Sequence, residues 1–581
     1  MSFKNDLFGL KILKRHIKRT MTSNPFHSAM NCDRSAQGSG ITAVPSGMSA
    51  VSYGTPVVSG EYEGRISWFF KGTRDLNFVF ASQYLEKAMK ESKEDTFCLI
   101  FNTRDVLKGK GERDLGRKAM QWLLINYPED TARVVSLIPE YGRWDDLYCL
   151  FPRVLDLVDL AWVNSNFCSH VTQKTLEKAR IAQKHVVVIF KDQLQCDWRN
   201  HLDSKPITLA AKWCETEGSG DDKRYGLVQQ ICAEWKLHPK GYRVRVGEMR
   251  TALNVVEKLC AGKRWDEIDY SKVPAQTMKK LHKAFDKNDH VRFGEWLRKL
   301  HKKDPTVKVC AKTLHPHELV ASYFSQNVYA EVGCGSIHQI DRVIEDQWST
   351  LEDIVKKSTA LEKTIVVSDV SGSMYFNSMF DAANTVKPAH VCIALSLMIA
   401  RCSRAPWNNA ILPFSVDPHY HKITSESLHD RISEIQKIPQ GFNTDFIKVF
   451  QNILERHDRY KLKPEDHPER IIVISDMPFD QADRNITNLA AIDQLYAARP
   501  ERGSQKLKRP ALVFWNVSGS LDFPVTEKHK NLCLISGFST SVISALMTAT
   551  DFSPACVLRE VIDSDRYNPV RNALKIDETT A

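Results

Sequence analysis

Two hydroxyls and one carboxylate stand close together directly after a short apolar run. Asp369, Ser371 and Ser373 are spaced two residues apart, and they follow the segment TIVVS at Thr364–Ser368. Mg²⁺ prefers oxygen ligands and keeps several of its waters, so two neutral hydroxyls beside one carboxylate can hold it and leave a position open. We therefore expect a site for Mg²⁺ or another divalent cation in the loop that follows this run.

Two later loops offer further oxygen ligands. Thr444 lies in the segment GFNTD ahead of a predicted helix, and Asp476 follows the apolar run RIIVIS at Arg470–Ser475. Taken singly, each side chain has an ordinary explanation, because Ser and Thr cap helices and Asp begins turns. Taken together, the three loops predict one metal site with five ligand residues: Asp369, Ser371, Ser373, Thr444 and Asp476.

The elements that would position these loops alternate between strands and helices. The predicted strands are 364–368, 410–414, 470–475, 511–515 and 531–535, and the main predicted helices between them are 390–401, 427–435, 445–455 and 486–498. Apolar strands that alternate with amphipathic helices specify a mostly parallel sheet covered on both faces, and ligands bind at the carboxyl ends of its strands. Residues 361–581 are therefore expected to form a doubly wound, Rossmann-like α/β domain.

Residues 61–360 carry a different pattern, with apolar residues recurring at intervals of three and four. The clearest segments are 76–89, 115–125, 173–189 and 278–300. Such spacing is typical of amphipathic helices, and no strand signal interrupts it. We expect antiparallel helices stacked in pairs, an all-α helical-repeat solenoid of the HEAT-like kind.

Residues 1–60 lack the pattern of a folded domain. Positions 3–21 alternate apolar and basic residues, and the stretch that follows is rich in Ser, Gly and Pro. The first part fits either a basic amphipathic helix, such as a transit peptide or surface anchor, or a solvated tail. The second cannot bury enough apolar surface to order itself. We expect a disordered basic leader and linker.

The composition bounds the remaining possibilities. The chain has 581 residues and is too long for a single core, and no run approaches the ~20 apolar residues that would span a bilayer. Its 14 cysteines form no C-x-x-C pair, and no secretory signal is visible, so we expect reduced thiols and a cytoplasmic location. The formal net charge of +10 is compatible with a polyanionic partner without requiring one.

The usual enzymatic motifs are missing. Asp369 does not resemble a phosphoryl-accepting nucleophile, because position 371 is serine where an Asp-x-Asp pair would be needed. The sequence contains no P-loop, no G-x-S-x-G elbow and no H-E-x-x-H helix. We therefore expect a non-enzymatic binding protein.

Basic residues gather along the helical half and suggest a phosphate-binding face. Aromatic neighbours at positions 144, 242, 265 and 296 could stack on unpaired bases, as in single-stranded RNA recognition. The alternative places these aromatics in the core and the charges on a solvated face, and the interleaved acids favour it. The candidate RNA-binding residues are Lys108, Lys110, Arg113, Arg243, Arg245, Lys299 and Lys302.

The three oxygen-bearing loops resemble the metal-ion-dependent adhesion site (MIDAS) of von Willebrand factor A domains, over about residues 363–562. The resemblance implies direct coordination by Ser371, Ser373 and Thr444. It implies that Asp369 and Asp476 act largely through water, and that a partner carboxylate or water fills the sixth position. Residues 375–388 depart from the family, because they are longer and more aromatic than its usual link to the next helix.

The helical half resembles an uncharacterised family that carries a domain of unknown function and is similar to the TROVE module of the Ro ribonucleoprotein autoantigen. The markers include FNTRD at 101–105, GKGERD at 109–114 and PEYGRWDDL at 139–147. In Ro, helical repeats form a ring that holds RNA ends, and an A domain joins the ends of the ring. The resemblance implies an RNA-binding ribonucleoprotein component. The alternative is a protein-interaction adaptor that captures an acidic residue of a partner through the metal. The oligomeric state stays open.

Overall fold

The computed structural model describes residues 48–50, 56–58, 64–72, 78–151, 173–311, 314–324, 340–356, 361–375, 386–413, 418–438, 446–475, 488–499, 507–517, 532–536 and 554–575. The described residues after Met48 belong to one compact unit, Ser49–Ala581. Strands β1 (Met48–Ala50) and β2 (Pro56–Val58) come first. Apart from these two strands, the predicted leader and linker of residues 1–60 lie outside the described residues.

The described residues between 64 and 356 contain α-helices and 3₁₀ turns and no strand, which confirms the predicted helical character. The α-helices are α1 (Gly64–Lys71), α2 (Phe78–Glu91), α3 (Lys93–Arg104), α4 (Arg113–Asn126), α5 (Pro128–Val134), α6 (Ile138–Tyr141), α7 (Gln173–Leu202), α8 (Ala210–Trp213), α9 (Gly220–Tyr225), α10 (Leu227–Trp235), α11 (Pro239–Ala252), α12 (Val256–Ala261), α13 (Ala275–Asn288), α14 (His290–His301), α15 (Pro316–Ala321) and α16 (Arg342–Val355). The 3₁₀ turns are Val135–Leu137, Trp144–Leu150, Trp265–Glu267 and Tyr270–Lys272.

Capping side chains set several helix boundaries. The Ser92 hydroxyl accepts a hydrogen bond from the Asp95 amide at 3.3 Å and begins α3. Asp341 caps α16 by accepting from the amides of Val343 and Ile344. Such caps satisfy amides that have no partner within the helix.

One predicted helical segment proves to be two helices. The periodicity of 278–300 continues across Asp289, but the backbone of Asp289 is non-helical (φ −143°, ψ 48°) and separates α13 from α14. Its carboxylate accepts from the Tyr270 hydroxyl at 2.7 Å and pairs with Arg292 at 2.8 Å. These contacts stabilise the non-helical conformation at Asp289, and the interruption allows α14 to fold back on α13.

A separate hydrophobic core lies beneath this helix pair. Tyr270 contacts Phe285, Phe293 and Trp296, with ring centroids 5.4, 4.9 and 5.9 Å away. These four rings are all buried, and they belong to a cluster distinct from the main core. The segment from α12 to residue 309 therefore packs as a subdomain of the helical part.

The α/β part is built on a six-stranded sheet. Its strands are β3 (Thr364–Ser368), β4 (Ala410–Pro413), β5 (His421–Lys422), β6 (Arg470–Ser475), β7 (Ala511–Asn516) and β8 (Leu532–Ser536), in the order β5-β4-β3-β6-β7-β8. All pairs are parallel except β4 with β5. The described helices are α17 (Pro388–Cys402), α18 (Leu428–Gln436), α19 (Phe446–Arg459), α20 (Asn488–Ala497), α21 (Pro554–Ile562) and α22 (Asn568–Lys575).

The register brings the carboxyl ends of neighbouring strands level. Val366 lies opposite Ile411 on β4 and opposite Ile472 on β6, and Ile472 lies opposite Val513 on β7. Every residue of β3 is buried, as expected for a parallel strand covered on both faces. The five predicted strands are present. The two-residue β5 had no apolar signal in the sequence.

The α/β part contacts both ends of the helical part. Helix α17 packs against α15 and α16, while α21 and α22 pack against α1, α3 and α5. The buried carboxylate of Asp105 accepts from Arg566 at 2.9 and 3.1 Å and from the Tyr567 hydroxyl at 3.3 Å. Tyr141 stacks on Tyr567 with centroids 5.7 Å apart. We call these four residues the C-terminal clasp.

A second buried carboxylate supports the same interface. Asp95 pairs with Arg559 at 2.7 Å and Arg571 at 3.0 Å, both from the C-terminal segment, and with Arg65 at 2.6 Å. Burial by itself would raise the pKa of Asp95, but its hydrogen bonds to the arginines outweigh this and lower it. The ionised carboxylate is therefore the form that this interface stabilises.

Replacing Asp105 tests the C-terminal clasp. Asp105→Asn leaves the Arg566 charge without its buried partner, so we expect it to lower the free energy of unfolding by about 3 kcal/mol in urea titrations. Glu140 pairs with the same arginine at 3.0 Å but is half exposed, so Glu140→Gln is the matched control and should cost at most about 1 kcal/mol. Equal losses from the two variants would contradict the assignment.

His282 joins the subdomain to α16 through a pH-sensitive contact. Its Nε2 lies 2.7 Å from a carboxylate oxygen of Asp341, and its Nδ1 lies 2.9 Å from the Lys279 carbonyl oxygen. Both neighbours are acceptors, so only the protonated ring can donate to both. Burial alone would lower the pKa of His282, but the hydrogen bond to Asp341 and its charge outweigh burial and raise it.

The stability of the chain should therefore depend on pH through His282. Because its folded-state pKa is raised, its contribution is fully present below the unfolded value of about 6.5 and is lost as pH rises through the folded value. We expect the advantage of the wild-type chain over His282→Gln in urea titrations to shrink between about pH 6 and pH 9. A constant difference across that range would contradict the prediction.

Candidate functional site

The carboxyl ends of β3 and β6 meet at the residue that follows β3. The Asp369 amide donates to the Ile474 carbonyl oxygen at 2.9 Å, which continues the parallel ladder by one residue. The Asp369 Oδ2 atom accepts from the Ser475 hydroxyl at 2.6 Å. The pairing of Ser368 with Ile474 makes both contacts possible. Asp369 is thus fixed to β6 by its backbone and by its side chain.

The loop after Asp369 turns back over its carboxylate. The Ser371 amide donates to Asp369 Oδ1 at 2.9 Å, and the Met374 amide donates to the Ser371 carbonyl oxygen at 3.2 Å. Ser373 lies in the 3₁₀ turn Gly372–Tyr375. Met374 is fully buried and anchors this turn in the core. The half-buried Ser371 stands beside the carboxylate at the edge of the sheet.

The structure describes only part of the predicted ligand set. Asp369, Ser371 and Ser373 are in one described loop, whereas Thr444 and Asp476 lie outside the described residues, as do residues 376–385 of the aromatic link. Asp476 directly follows Ser475 in the chain, and Ser475 is bonded to Asp369. The grouping of all five residues stays a prediction.

The charge of Asp369 provides a test of whether the site fits a cation. The side chain is 1% exposed, and within the described part of the chain no Lys, Arg or His forms a salt bridge with it. Asp95, Asp105 and Asp146, which are similarly buried, each meet at least one arginine, whereas the buried Asp197 receives only neutral donors from Gln193 and Thr208. Buried charges are normally paired or coordinate metals. The carboxylate and its neighbouring hydroxyls are all oxygen donors, so the residues present fit a hard divalent cation.

The interior behind the loop is polar but holds no activated nucleophile. The Ser368 and Ser396 hydroxyls are hydrogen bonded, and the Cys392 thiol lies 3.6 Å from the Ile474 carbonyl oxygen. Burial, with the nearby charge of Asp369, raises the pKa of the Cys392 thiol well above its ordinary value. Cys392 therefore stays a neutral thiol. Among the described residues, no group of three or more His, Cys, Asp or Glu could hold a metal.

Sequence reasoning missed Ser475 and Ser396 as part of this site. Ser475 ends a predicted strand at the same edge as Asp369, which was an available signal. Ser396 is an interior residue of α17, and nothing in its local sequence indicates that it faces Ser368.

The structure corrects the assignment of Lys110 as an RNA-binding residue. Its side chain is buried, and its ammonium donates to the carbonyl oxygens of Phe69 and, at 3.0 Å, Gly72. Burial lowers the pKa of Lys110 to about 7. A side chain committed to two backbone carbonyls inside the fold has no access to an RNA phosphate.

The other candidate RNA-binding residues lie nearer the surface but on separate elements. Lys108, Arg113, Arg243, Lys299 and Lys302 are exposed. Two of them have acidic partners, since Arg113 lies 3.4 Å from Asp145 and Arg243 lies 2.9 Å from Glu217. Arg245 is half-buried, with its guanidinium 5.3 Å from the rings of both Trp198 and Trp235.

The predicted base-stacking aromatics are mostly interior. Tyr242 is 1% exposed and donates to the Glu215 carbonyl oxygen, and Trp296 is 7% exposed and bonded to Ser271. Trp144 and Trp265 are half-buried and pack against hydrophobic clusters. The alternative stated for these residues, that they are core aromatics, is correct for Tyr242 and Trp296.

Comparisons with known proteins place two matched regions on the chain. A family model described as a domain of unknown function (DUF2828) matches residues 162–361, and a second domain of unknown function (DUF7788) matches residues 363–575. An uncharacterised protein of Acanthamoeba polyphaga mimivirus is 27% identical over 537 residues, which is 87% of this chain and 85% of the viral protein. The chain is thus similar to two domain families, and the change from one to the other falls just ahead of β3.

Among the described residues, no helix is both long enough and apolar enough to span a bilayer.

Proposed function

We propose that this chain is a non-enzymatic binding protein whose α/β part is an A-type domain that holds a divalent cation and uses it to capture an acidic group of a partner. The observation that carries the proposal is the buried Asp369 carboxylate, which lacks a cationic side-chain partner among the described residues and lies where β3 and β6 end. Edges of this kind are where ligands bind in open α/β sheets.

The strand order supports the A-type assignment. Numbered from the first strand of the α/β part, the order is 3-2-1-4-5-6, which is a doubly wound order whose direction of winding reverses between β3 and β6. Asp369 follows β3 at this switch point. The antiparallel pairing of β5 affects only the edge of the sheet.

In this proposal the ligand residues have two different roles. Ser371, Ser373 and Thr444 would hold the ion directly, and Asp369 and Asp476 would act through water. A bound Mg²⁺ or related ion supplies a positive, partly open coordination position that attracts carboxylates. Asp369 provides the negative charge of the loop, and the Ser475 hydroxyl and Ser371 amide fix its orientation.

Thermal unfolding in Mg²⁺ or Mn²⁺ against EDTA tests this proposal. At an ion concentration about 100 times Kd, binding stabilises the folded chain by about 2.7 kcal/mol, so the unfolding temperature of the α/β part should rise by about 5–11 °C. Asp369→Asn and Ser371→Ala should each remove this rise. Asp353→Asn, an exposed carboxylate on α16, is the matched control and should retain it. A wild-type chain that unfolds at one temperature with and without the ions would contradict the proposal.

RNA binding is a second candidate function, favoured by the basic surface of the α13–α14 pair. The exposed residues Arg298, Lys299, Lys302 and Lys303 lie at the end of α14, and within the described chain none of them is within salt-bridge distance of a carboxylate. Together with the TROVE-like motifs and the net charge of +10, this surface supports a Ro-like ribonucleoprotein component. Unpaired cations of this kind interact with phosphates in a salt-dependent way.

The salt dependence of RNA binding tests the second function. The variant Lys299→Gln, Lys302→Gln, Lys303→Gln should bind single-stranded RNA more weakly, with the slope of log K against log salt reduced in magnitude by about 2. A variant with three equivalent changes at the exposed residues Lys205, Lys223 and Lys240 is the control and should keep the wild-type slope. Indistinguishable slopes for the two variants would reject this surface.

A further inference from the structure

Four arginines converge on two adjacent aspartates where α3, α4 and the turn Trp144–Leu150 meet. Asp146 pairs with Arg104 at 2.7 Å and with Arg117 at 2.6 Å. Its neighbour Asp145 pairs with Arg117 at 3.0 Å. Asp145 also pairs with Arg143, and with Arg113 at 3.4 Å. The segments GKGERD and PEYGRWDDL supply Arg113, Arg143 and both aspartates. The cluster therefore gives a role to sequence motifs that have none in the candidate metal site.

The cluster carries an excess of positive charge. Four guanidiniums against two carboxylates leave a formal balance of about +2, because arginine stays protonated in proteins. The charged side chains that act on Arg113 are Arg117, Arg143, Asp145 and Asp146. Burial lowers the pKa of Arg113 most, and the like charges of Arg117 and Arg143 lower it further. The charges of Asp145 and Asp146 raise this pKa, but not enough to offset the lowering.

The inner and outer parts of the cluster differ in exposure. The side chains of Arg104 and Asp146 are 6% and 2% exposed, and their pair links α3 to the turn. The side chains of Arg113, Arg117 and Arg143 are 50%, 23% and 36% exposed. The outer three guanidiniums, which we call the arginine triad, are more exposed, although Arg117 also pairs with the buried Asp146 at 2.6 Å.

The arginine triad also has hydrogen-bond donors to spare. Each guanidinium carries five N–H groups. Arg143 donates to Asp145 through Nε and Nη2, Arg117 donates to both aspartates through Nε and Nη2, and Arg113 donates only through Nη2. Within the described residues, the Nη1 groups of all three donate to no protein acceptor. Trp213 supports the Arg143 guanidinium from 4.3 Å and restricts where it can point.

We propose that the arginine triad is a binding site for a dianionic phosphate group, as in a phosphate monoester. A dianion balances the formal charge of about +2, whereas a carboxylate or another monoanion leaves half of it. Guanidiniums bind phosphate oxygens through paired, charge-assisted hydrogen bonds, and the triad presents the unused donors that such bonds require. The site is separate from the sheet edge and does not rest on the proposed metal site.

Isothermal titration calorimetry of the full chain tests the site. Inorganic phosphate is titrated in EDTA, with sodium chloride matched in ionic strength as the blank, so that the result is independent of divalent cations. We expect saturable binding by the wild-type chain and binding weaker by about tenfold or more for Arg113→Gln, which loses a charged hydrogen bond. Arg113 makes only a long contact with Asp145, so the buried pairs of Asp146 remain in the variant. Circular dichroism checks that the variant is folded.

Arg199→Gln removes one exposed arginine from α7 and is the matched control, which should bind phosphate as the wild type does. Titrations with O-phosphoserine and adenosine 5′-monophosphate distinguish the sources of the phosphate by which of the two binds more tightly. The proposal is overturned if phosphate gives no more heat than chloride, or if folded Arg113→Gln binds as tightly as Arg199→Gln.

Discussion

The parallel pairing of β3 with β6 is the constraint on which the candidate site depends. It places Ser368 opposite Ile474, so the next residue along the chain, Asp369, reaches β6 with both its amide and its carboxylate. A shift of one residue in this register would turn every side chain of β3 to the other face of the sheet. The apolar core of the sheet therefore determines the position of the loop that carries Ser371 and Ser373.

Buried carboxylates are used in two different ways in this protein. Asp95 and Asp105 meet arginines of the C-terminal segment and connect the last helices to the first ones. Breaking such a buried pair leaves an uncompensated charge and costs roughly 3–5 kcal/mol. Asp369 is equally buried but receives only neutral donors, from Ser475 and the Ser371 amide. The first kind of carboxylate is explained by its arginine partners. Asp197 is fully buried and also receives only neutral donors, from Gln193 and Thr208, so the cation that we propose at Asp369 rests on the place of this residue at the sheet edge.

Local sequence was a good guide wherever burial imposes a simple pattern. The runs TIVVS and RIIVIS are strands with the predicted bounds, because a parallel strand covered on both faces must be apolar throughout. Periodicity was a poorer guide at Asp289, where a hydrogen bond from Tyr270 holds a break that the apolar spacing does not reveal. The two-residue β5 is too short and too exposed to leave any pattern.

Contacts between distant residues could not be predicted from the sequence. Lysine is usually a surface residue. Lys110 is buried because its ammonium donates to the carbonyl oxygens of Phe69 and Gly72, which lie about forty positions earlier in the chain. Asp105 and Arg566 are separated by 461 positions, so neither reveals the other. The three-loop metal site stays a prediction, which was made from two strand ends at one sheet edge, a loop ahead of a helix and the resemblance to the adhesion site.

Anomalous scattering from a crystal of the full chain grown with Mn²⁺ would locate the proposed cation. We expect a peak within about 2.5 Å of the Ser371 hydroxyl oxygen, at the carboxyl ends of β3 and β6 and beside Asp369. If a crystal grown at a saturating Mn²⁺ concentration gives no peak at that edge, or peaks only at other carboxylates, the proposed metal site is contradicted.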